Sequence, residues 1–193
     1  MSNDELAQLE FSGFSQANTV NWTAHPNVII NRRDLLDTVS MNYIYDHQTI
    51  TVDITNHNEI QVNNCGNGTL LDNNFFDGDP LLRTTRNEHR VIILTFKPAV
   101  LAVGAHISVD ARKIGEEYWG QLRANFSGQK GLIKSGISNK VRGTAPFLGG
   151  QAPAGKLIDT VTFDAYFTHS ETAPYLSDPA THVAINTLRY IPQ

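Results

Sequence analysis

The chain is short of several features that would carry a function by themselves. It holds one cysteine, Cys65, in 193 residues. A lone thiol excludes an internal disulfide and any zinc site built on cysteines. No catalytic-cysteine signature surrounds it, so Cys65 reads as an unpaired loop or semi-buried thiol. Charge is scarce too: Asp, Glu, Lys and Arg make up 18% of the chain, and the formal net charge is -4. The 15 Lys and Arg residues are scattered, and the pair Arg32-Arg33 is followed at once by Asp34. A surface that tracks phosphates needs clustered cations, so nucleic acid is not an expected partner. No stretch approaches the ~20 apolar residues of a membrane-spanning helix. The start, Met1-Ser-Asn-Asp-Glu-Leu-Ala-Gln8, has neither the basic beginning nor the apolar centre of a signal peptide.

Local catalytic signatures are missing as well. His25, His47, His57, His89, His106, His169 and His182 form no His-x-x-x-His or His-Glu-x-x-His unit. There is no Gly-x-Ser-x-Gly elbow, phosphate-binding loop or dinucleotide fingerprint. The expectation is a protein that is not an enzyme. A hydrolytic site assembled from distant residues is the alternative, because catalytic groups need not be neighbours in sequence.

What is abundant is the material of a β-sheet protein. Hydrophobic residues are 40% of the chain, enough to bury a core. Asn, Thr, Ser and Gly supply the polarity that charges do not. Ile50, Val52 and Ile54 alternate with Thr49, Thr51, Asp53 and Thr55, one face apolar and one polar. Ile92, Leu94 and Phe96 alternate with Val91, Ile93 and Thr95, so this strand is expected to be central and apolar on both faces. Val103, Ala105, Ile107 and Val109 follow after a Lys97-Pro98 break. Leu122, Ala124 and Phe126 form a further run, and Val161, Phe163, Ala165 and Phe167 another. Val183, Ile185, Leu188 and Tyr190 close the chain, with an irregular step at Asn186-Thr187 that suggests a bulge. Turn chemistry separates these runs: Asn63 to Gly68, Asp77-Gly78-Asp79-Pro80, Ser127-Gly128-Gln129, and Gly149 to Gly155. Helix signals are limited to one turn in Asp4–Glu10, one in Asn31–Leu36 with Asn31 as N-cap, and a loop or short helix over Asp110–Gln121 whose C-terminal end enters a strand. Short strands at this spacing predict a single all-β domain over residues 1–193. The expected fold is a two-sheet antiparallel β-sandwich, jelly-roll-like, with one or two short helices.

One region is more specific. The loop Asp72-Asn-Asn-Phe-Phe-Asp-Gly-Asp-Pro-Leu-Leu-Arg-Thr84 runs into the strands Val91–Phe96 and Val103–Ser108. Pro146-Phe147-Leu148-Gly149, Ile158-Asp159-Thr160-Val161-Thr162-Phe163 and Val183-Ala184-Ile185-Asn186-Thr187-Leu188 follow. Over residues 66 to 190 this series resembles an uncharacterised family of exported bacterial β-sandwich domains, many carrying a PEP-CTERM-type sorting tail. The Asp77-Gly78-Asp79 loop and Gly104 are the more telling matches. The resemblance implies a sandwich fold and an extracellular setting, not an activity. The chain departs from that family in showing neither an export signal nor a sorting tail.

Candidate site residues fall in two groups. Asp72, Asp77 and Asp79 share one loop rich in Gly and Asn, and hard cations take several oxygen ligands from such loops. Calcium is the cofactor this pattern suggests, although the spacing is not that of an EF-hand and ordinary turn chemistry explains the same residues. The aromatic pool is Trp22, Tyr43, Tyr45, Phe75, Phe76, Tyr118 and Trp119. Sugar rings stack on exposed aromatic faces, so Tyr118 and Trp119, with Glu117 beside them, and Phe76 are the expected ligand contacts. The competing explanation is core packing, in which adjacent aromatics place one ring in and one out. Trp22 is expected to be buried. The functional expectation is a recognition domain for glycans or another cell-surface ligand, bound through loops at one end of the sandwich. A secreted toxin, for example an insecticidal one, and a self-assembling structural or surface protein are the alternatives.

Overall fold

The computed structural model describes residues 6–20, 22, 29–30, 38–45, 48–55, 60–64, 74–76, 78–84, 91–109, 117–126, 128–138, 143–168, 177–179 and 182–193. The described chain is almost entirely strand. In order these are β1 (Ala7–Gln8), β2 (Asn18–Val20), β3 (Ile29–Ile30), β4 (Thr38–Tyr45), β5 (Gln48–Thr55), β6 (Ile60–Asn64), β7 (Pro80–Thr84) and β8 (Ile92–Val100). They continue as β9 (Ala102–Val109), β10 (Tyr118–Phe126), β11 (Gln129–Ser138), β12 (Phe147–Gln151), β13 (Ile158–Thr168), β14 (Ser177–Pro179), β15 (Val183–Ile185) and β16 (Leu188–Ile191).

The strands form two antiparallel sheets packed face to face, the expected sandwich. The nine-stranded sheet runs β1-β12-β9-β15-β7-β6-β3, with β16 on β9 and β2 on β16. The seven-stranded sheet runs β11-β10-β13-β8-β5-β4, with β14 on β13. Hairpins such as β4-β5, β6-β7 and β10-β11 alternate with connections that cross from one sheet to the other. The core lies between the sheets. Val52, Ile54, Leu94, Leu122, Phe126, Val161, Phe163 and Phe167 enter it from the seven-stranded side. Val103, Ala105, Ile107, Val183, Ile185 and Leu188 meet them from the other. Each of these side chains except Ala105 contributes about 1.5–3 kcal/mol by leaving water.

β8 is an interior strand, as its sequence predicts, between β13 and β5. Its outward residues Val91, Ile93 and Thr95 are nonetheless only half-buried, because nothing described lies over that face. The Lys97-Pro98 step does not end the strand. β8 runs through it to Val100, and the Lys97-Pro98 peptide is cis. Pairing with β13 skips this stretch, passing from Thr95 opposite Thr160 to Val100 opposite Ile158. Pro98 has no N–H to donate, so a gap in the ladder accommodates it.

The irregular step at Asn186-Thr187 is a bulge. Ile185 faces Ile107 and Arg189 faces Gly104, so four steps on one strand meet three on the other. The N–H of Asn186 donates to the carbonyl of His106 at 3.2 Å, and its side-chain Oδ1 accepts the His106 N–H at 3.1 Å. The extra residue thus satisfies the backbone it displaces.

Of the helical turn expected over Asp4–Glu10, the described part, residues 6–10, is not helical. Ala7–Gln8 pairs with the edge strand β12, and the Leu9 N–H donates to the Gly149 carbonyl at 2.9 Å. An isolated turn cannot compete with a ready-made edge. A 3-10 turn follows at Phe11–Phe14. Gly149 permits this close approach: a Cβ there would collide with the Leu9 carbonyl and the Phe14 ring. The turn expected at Asn31–Leu36 lies outside the described residues, as does Cys65.

Candidate functional site

Strands β10 and β13 run side by side in the seven-stranded sheet. Their inward residues, Tyr118, Leu122, Ala124 and Phe126 on one and Val161, Phe163, Ala165 and Phe167 on the other, are buried. Alternation therefore turns Trp119, Gln121, Arg123 and Asn125 outward on β10, and Thr160, Thr162, Asp164 and Tyr166 outward on β13. The register sets these in pairs: Trp119 opposite Tyr166, Gln121 opposite Asp164, Arg123 opposite Thr162, and Asn125 opposite Thr160. One end of this double row is aromatic and the rest is hydroxyl, amide and guanidinium.

A hydrogen-bond network holds the middle of the row. Tyr166 donates its hydroxyl to Asp164 Oδ2 at 2.6 Å. The other oxygen of Asp164 accepts the N–H of Ala165 at 2.8 Å. Arg123 Nη2 lies 3.5 Å from Asp164 Oδ2 and donates to the Tyr166 oxygen at 3.1 Å and to Gln121 Oε1 at 3.3 Å. Burial raises the Tyr166 phenol above its ordinary value. The Asp164 carboxylate adds to this by accepting its proton and by its negative charge, while Arg123 opposes both.

Beside this network opens a cavity of about 340 Å³, lined by Arg123, Asn125, Lys130, Gly131, Thr160 and Thr162. Lys130 comes from β11, where it pairs with Asn125. The polar surface continues across the sheet. Thr95 and Thr160 approach at 3.4 Å through their hydroxyls, and on β5 the nearly buried Asp53 accepts from Lys97 at 2.6 Å and from Ser40 at 2.5 Å. The Lys97 hydrogen bond, reinforced by Ser40, holds the Asp53 carboxyl below the usual aspartate range against the opposing effect of burial.

The opposite face of the molecule carries a second, smaller assembly. Gly104, His106 and Ser108 point outward from β9, away from the core. The Asn74 carbonyl accepts the N–H groups of Gly143 and Ala145, at 2.9 and 3.2 Å, which ties two loops over this face. Phe11, Phe14, Phe147 and His106 stack edge to face or tilted, with ring centroids 5.1–5.3 Å apart. The Arg189 guanidinium sits over Phe11, 4.6 Å from the ring centre. A cavity of only about 70 Å³ lies here, with Asn74, Phe76, Asp79, His106 and Asn186 among its walls. Burial is the main reason the His106 pKa falls below its ordinary value. The Arg189 charge acts the same way, and Asn186 and Asp79 act against it.

The expected site residues separate onto these two faces. Trp119 faces outward and half-buried on the seven-stranded sheet, and Glu117 stands half-buried just before it. Tyr118 does not join them: it is fully buried, and its hydroxyl donates to the Ile107 carbonyl at 2.9 Å. Its ring therefore offers no face to a ligand, because it bridges the two sheets. Phe76 is 63% exposed, but on the nine-stranded side. Its neighbour Phe75 is buried, the in-and-out pairing expected of adjacent aromatics. Trp22 is buried and donates its Nε1–H to the Asn186 carbonyl at 2.7 Å.

Asp72 and Asp77, two of the three residues expected to bind calcium, lie outside the described residues. Asp79 closes a turn. Its Oδ2 accepts the Phe76 N–H at 3.0 Å, and its own N–H donates to the Phe76 carbonyl at 3.1 Å. Gly78 takes a φ of +89°, the conformation this turn requires. Among the described residues no three His, Cys, Asp or Glu side chains gather as a metal site would need.

The sequence reading did not single out Arg123, Asn125, Lys130, Thr160 or Thr162. Their signal is present, as the polar phase of two alternating runs. What brings them together is the pairing of β10 with β13, which no local pattern announces.

No family model matches the chain, and no curated protein matches it. Among solved structures it is similar to a glycoside hydrolase family 43 arabinoxylan arabinofuranohydrolase from Bacillus subtilis, determined in complex with cellotetraose. The two share 8% identity at a TM-score of 0.27. The match covers 81% of this chain and spans 41% of that enzyme. So faint a likeness carries no argument about the site.

Proposed function

We propose that this protein is a non-catalytic recognition domain that binds a glycan on the outer face of its seven-stranded sheet. The surface differs from the end loops that sequence reasoning favoured. One observation carries the reading: a cavity of about 340 Å³ opens among outward hydroxyl, amide and cationic side chains. The same two strands end in the outward pair Trp119 and Tyr166. Hydroxyl-rich ligands need many directional donors and acceptors, and aromatic faces complement the apolar faces of sugar rings. The rigid ladder beneath supplies both without ordering a loop, which lowers the entropic cost of binding.

Titration calorimetry against a panel of plant, bacterial and animal oligosaccharides, with and without calcium, tests this. Binding by the wild-type chain is expected to weaken at least about tenfold in Asn125→Ala and in Trp119→Ala, a loss of about 1.4 kcal/mol each. Absence of binding across the panel, or binding that both variants leave untouched, sinks the reading.

A further inference from the structure

We infer that the groove on the seven-stranded sheet selects an acidic glycan, one bearing carboxylate or sulfate groups. This deepens the recognition reading above and rests on it. The two cations of the groove, Arg123 and Lys130, both line the cavity. Arg123 faces Leu132 across the β10-β11 ladder, and Lys130 is two residues along from Leu132. The two cations are thus diagonal neighbours, roughly 7–8 Å apart with their Cβ atoms somewhat closer, near enough for their long arms to reach one ligand.

Both have donors to give. All contacts of the Arg123 guanidinium among the described residues run through Nη2, to Asp164, Tyr166 and Gln121. Nη1 and Nε are left for a ligand, and the side chain is 52% exposed. Lys130 is exposed and has no partner among the described residues. The remaining lining residues, Asn125, Gly131, Thr160 and Thr162, are uncharged.

The nearest described carboxylate offsets only part of this charge: Asp164 Oδ2 lies 3.5 Å from Arg123 Nη2, and Lys130 has no such partner among the described residues. Asp164 is almost buried, and its oxygens are already occupied by the Ala165 N–H and the Tyr166 hydroxyl. Its approach to the guanidinium is through Nη2 alone, so Nη1 and Nε stay open. Lys156, the other cation near this strand end, is turned away onto Gln129 and the Phe126 ring. The chain as a whole carries a net charge of -4. Two cations converging on a pocket with no described carboxylate in its wall run against that mean. A neutral sugar would need hydroxyls and amides there but not a cation pair. Arg binds planar anions through paired N–H donors, and Lys adds a point charge.

The test is calorimetry with three tetrasaccharides: an oligogalacturonate carrying carboxylates, a heparin-derived oligomer carrying sulfates, and xylotetraose carrying neither. Each is measured at low salt and again at about 0.3 M, where screening shortens to well under 10 Å. At least one acidic oligomer is expected to bind tenfold or more tighter than xylotetraose, and to weaken severalfold at the higher salt. Lys130→Gln, which removes a side chain with no described partner, should lower that preference about fivefold or more with the melting temperature unchanged. Arg123→Gln should lower it further. Binding of the galacturonate oligomer shows that carboxylates suffice, binding of the heparin oligomer alone shows that sulfate is required, and either supports the inference. Xylotetraose binding as tightly as both acidic oligomers overturns it and leaves the recognition reading standing. Failure of every oligosaccharide overturns both.

Discussion

Tyr118 and Trp119 are neighbours in sequence and opposites in role. The Tyr118 hydroxyl donates to the Ile107 carbonyl across the sandwich, so it belongs to the core. Replacing it with Phe keeps the ring and removes one hydrogen bond. Tyr118→Phe is expected to cost about 1 kcal/mol in urea unfolding and to leave ligand binding intact. Trp119→Ala should show the reverse, with little change in the unfolding midpoint and weakened binding. That one of the two rings turns inward was legible in the sequence. Which one follows from extending the run Leu122, Ala124, Phe126 back by two steps to Tyr118, a step the sequence reading did not take. Phe75 and Phe76 have no such run beside them to set the phase. Asp79 shows a different limit. A carboxylate in a Gly-Asp loop suits a cation and a turn equally well, and only the bond to the Phe76 N–H reveals that the turn uses it.

At the scale of elements, the sequence declared the alternating runs β5, β8, β9, β10 and β13 because each keeps period two over its buried phase. It declared the bulge at Asn186-Thr187 because the period slips there. It misjudged the described residues 6–10 of the expected Asp4–Glu10 turn, where short-range helix propensity was outweighed by pairing with β12, some 140 residues away in the chain. That strap depends on Gly149, whose missing side chain admits Leu9 and Phe14. Gly149→Ala should release the strap before it unfolds the sandwich. Hydrogen exchange at Leu9 is then expected to speed up while the amides of β13 keep their protection. A uniform loss of protection would refute the idea that the strap is a separate layer.

The molecule as a whole has an acid-sensitive side on each sheet. On the seven-stranded sheet, Lys97 and Ser40 hold the Asp53 pKa below its unfolded value. Above about pH 4 this ionised pair contributes its full stability, and it is lost as the pH falls through the folded pKa of Asp53. On the nine-stranded sheet, burial lowers the His106 pKa, with the Arg189 charge in support. The folded state then binds fewer protons than the unfolded chain below about pH 6.5, so stability falls as the pH drops through the window between the two values. The two groups act in the same direction but at different pH. Urea midpoints measured from pH 8 to 3 should therefore decline in two steps. His106→Gln is expected to flatten the step below pH 6.5 and leave the lower one, whereas Lys97→Met should diminish the lower step and leave the upper. A His106→Gln curve parallel to wild type between pH 6.5 and 5 would show that the imidazole is not held neutral by its aromatic surroundings. Neither device was readable beforehand, since Asp53 meets Lys97, and His106 meets Phe11 and Arg189, only after the two sheets have formed.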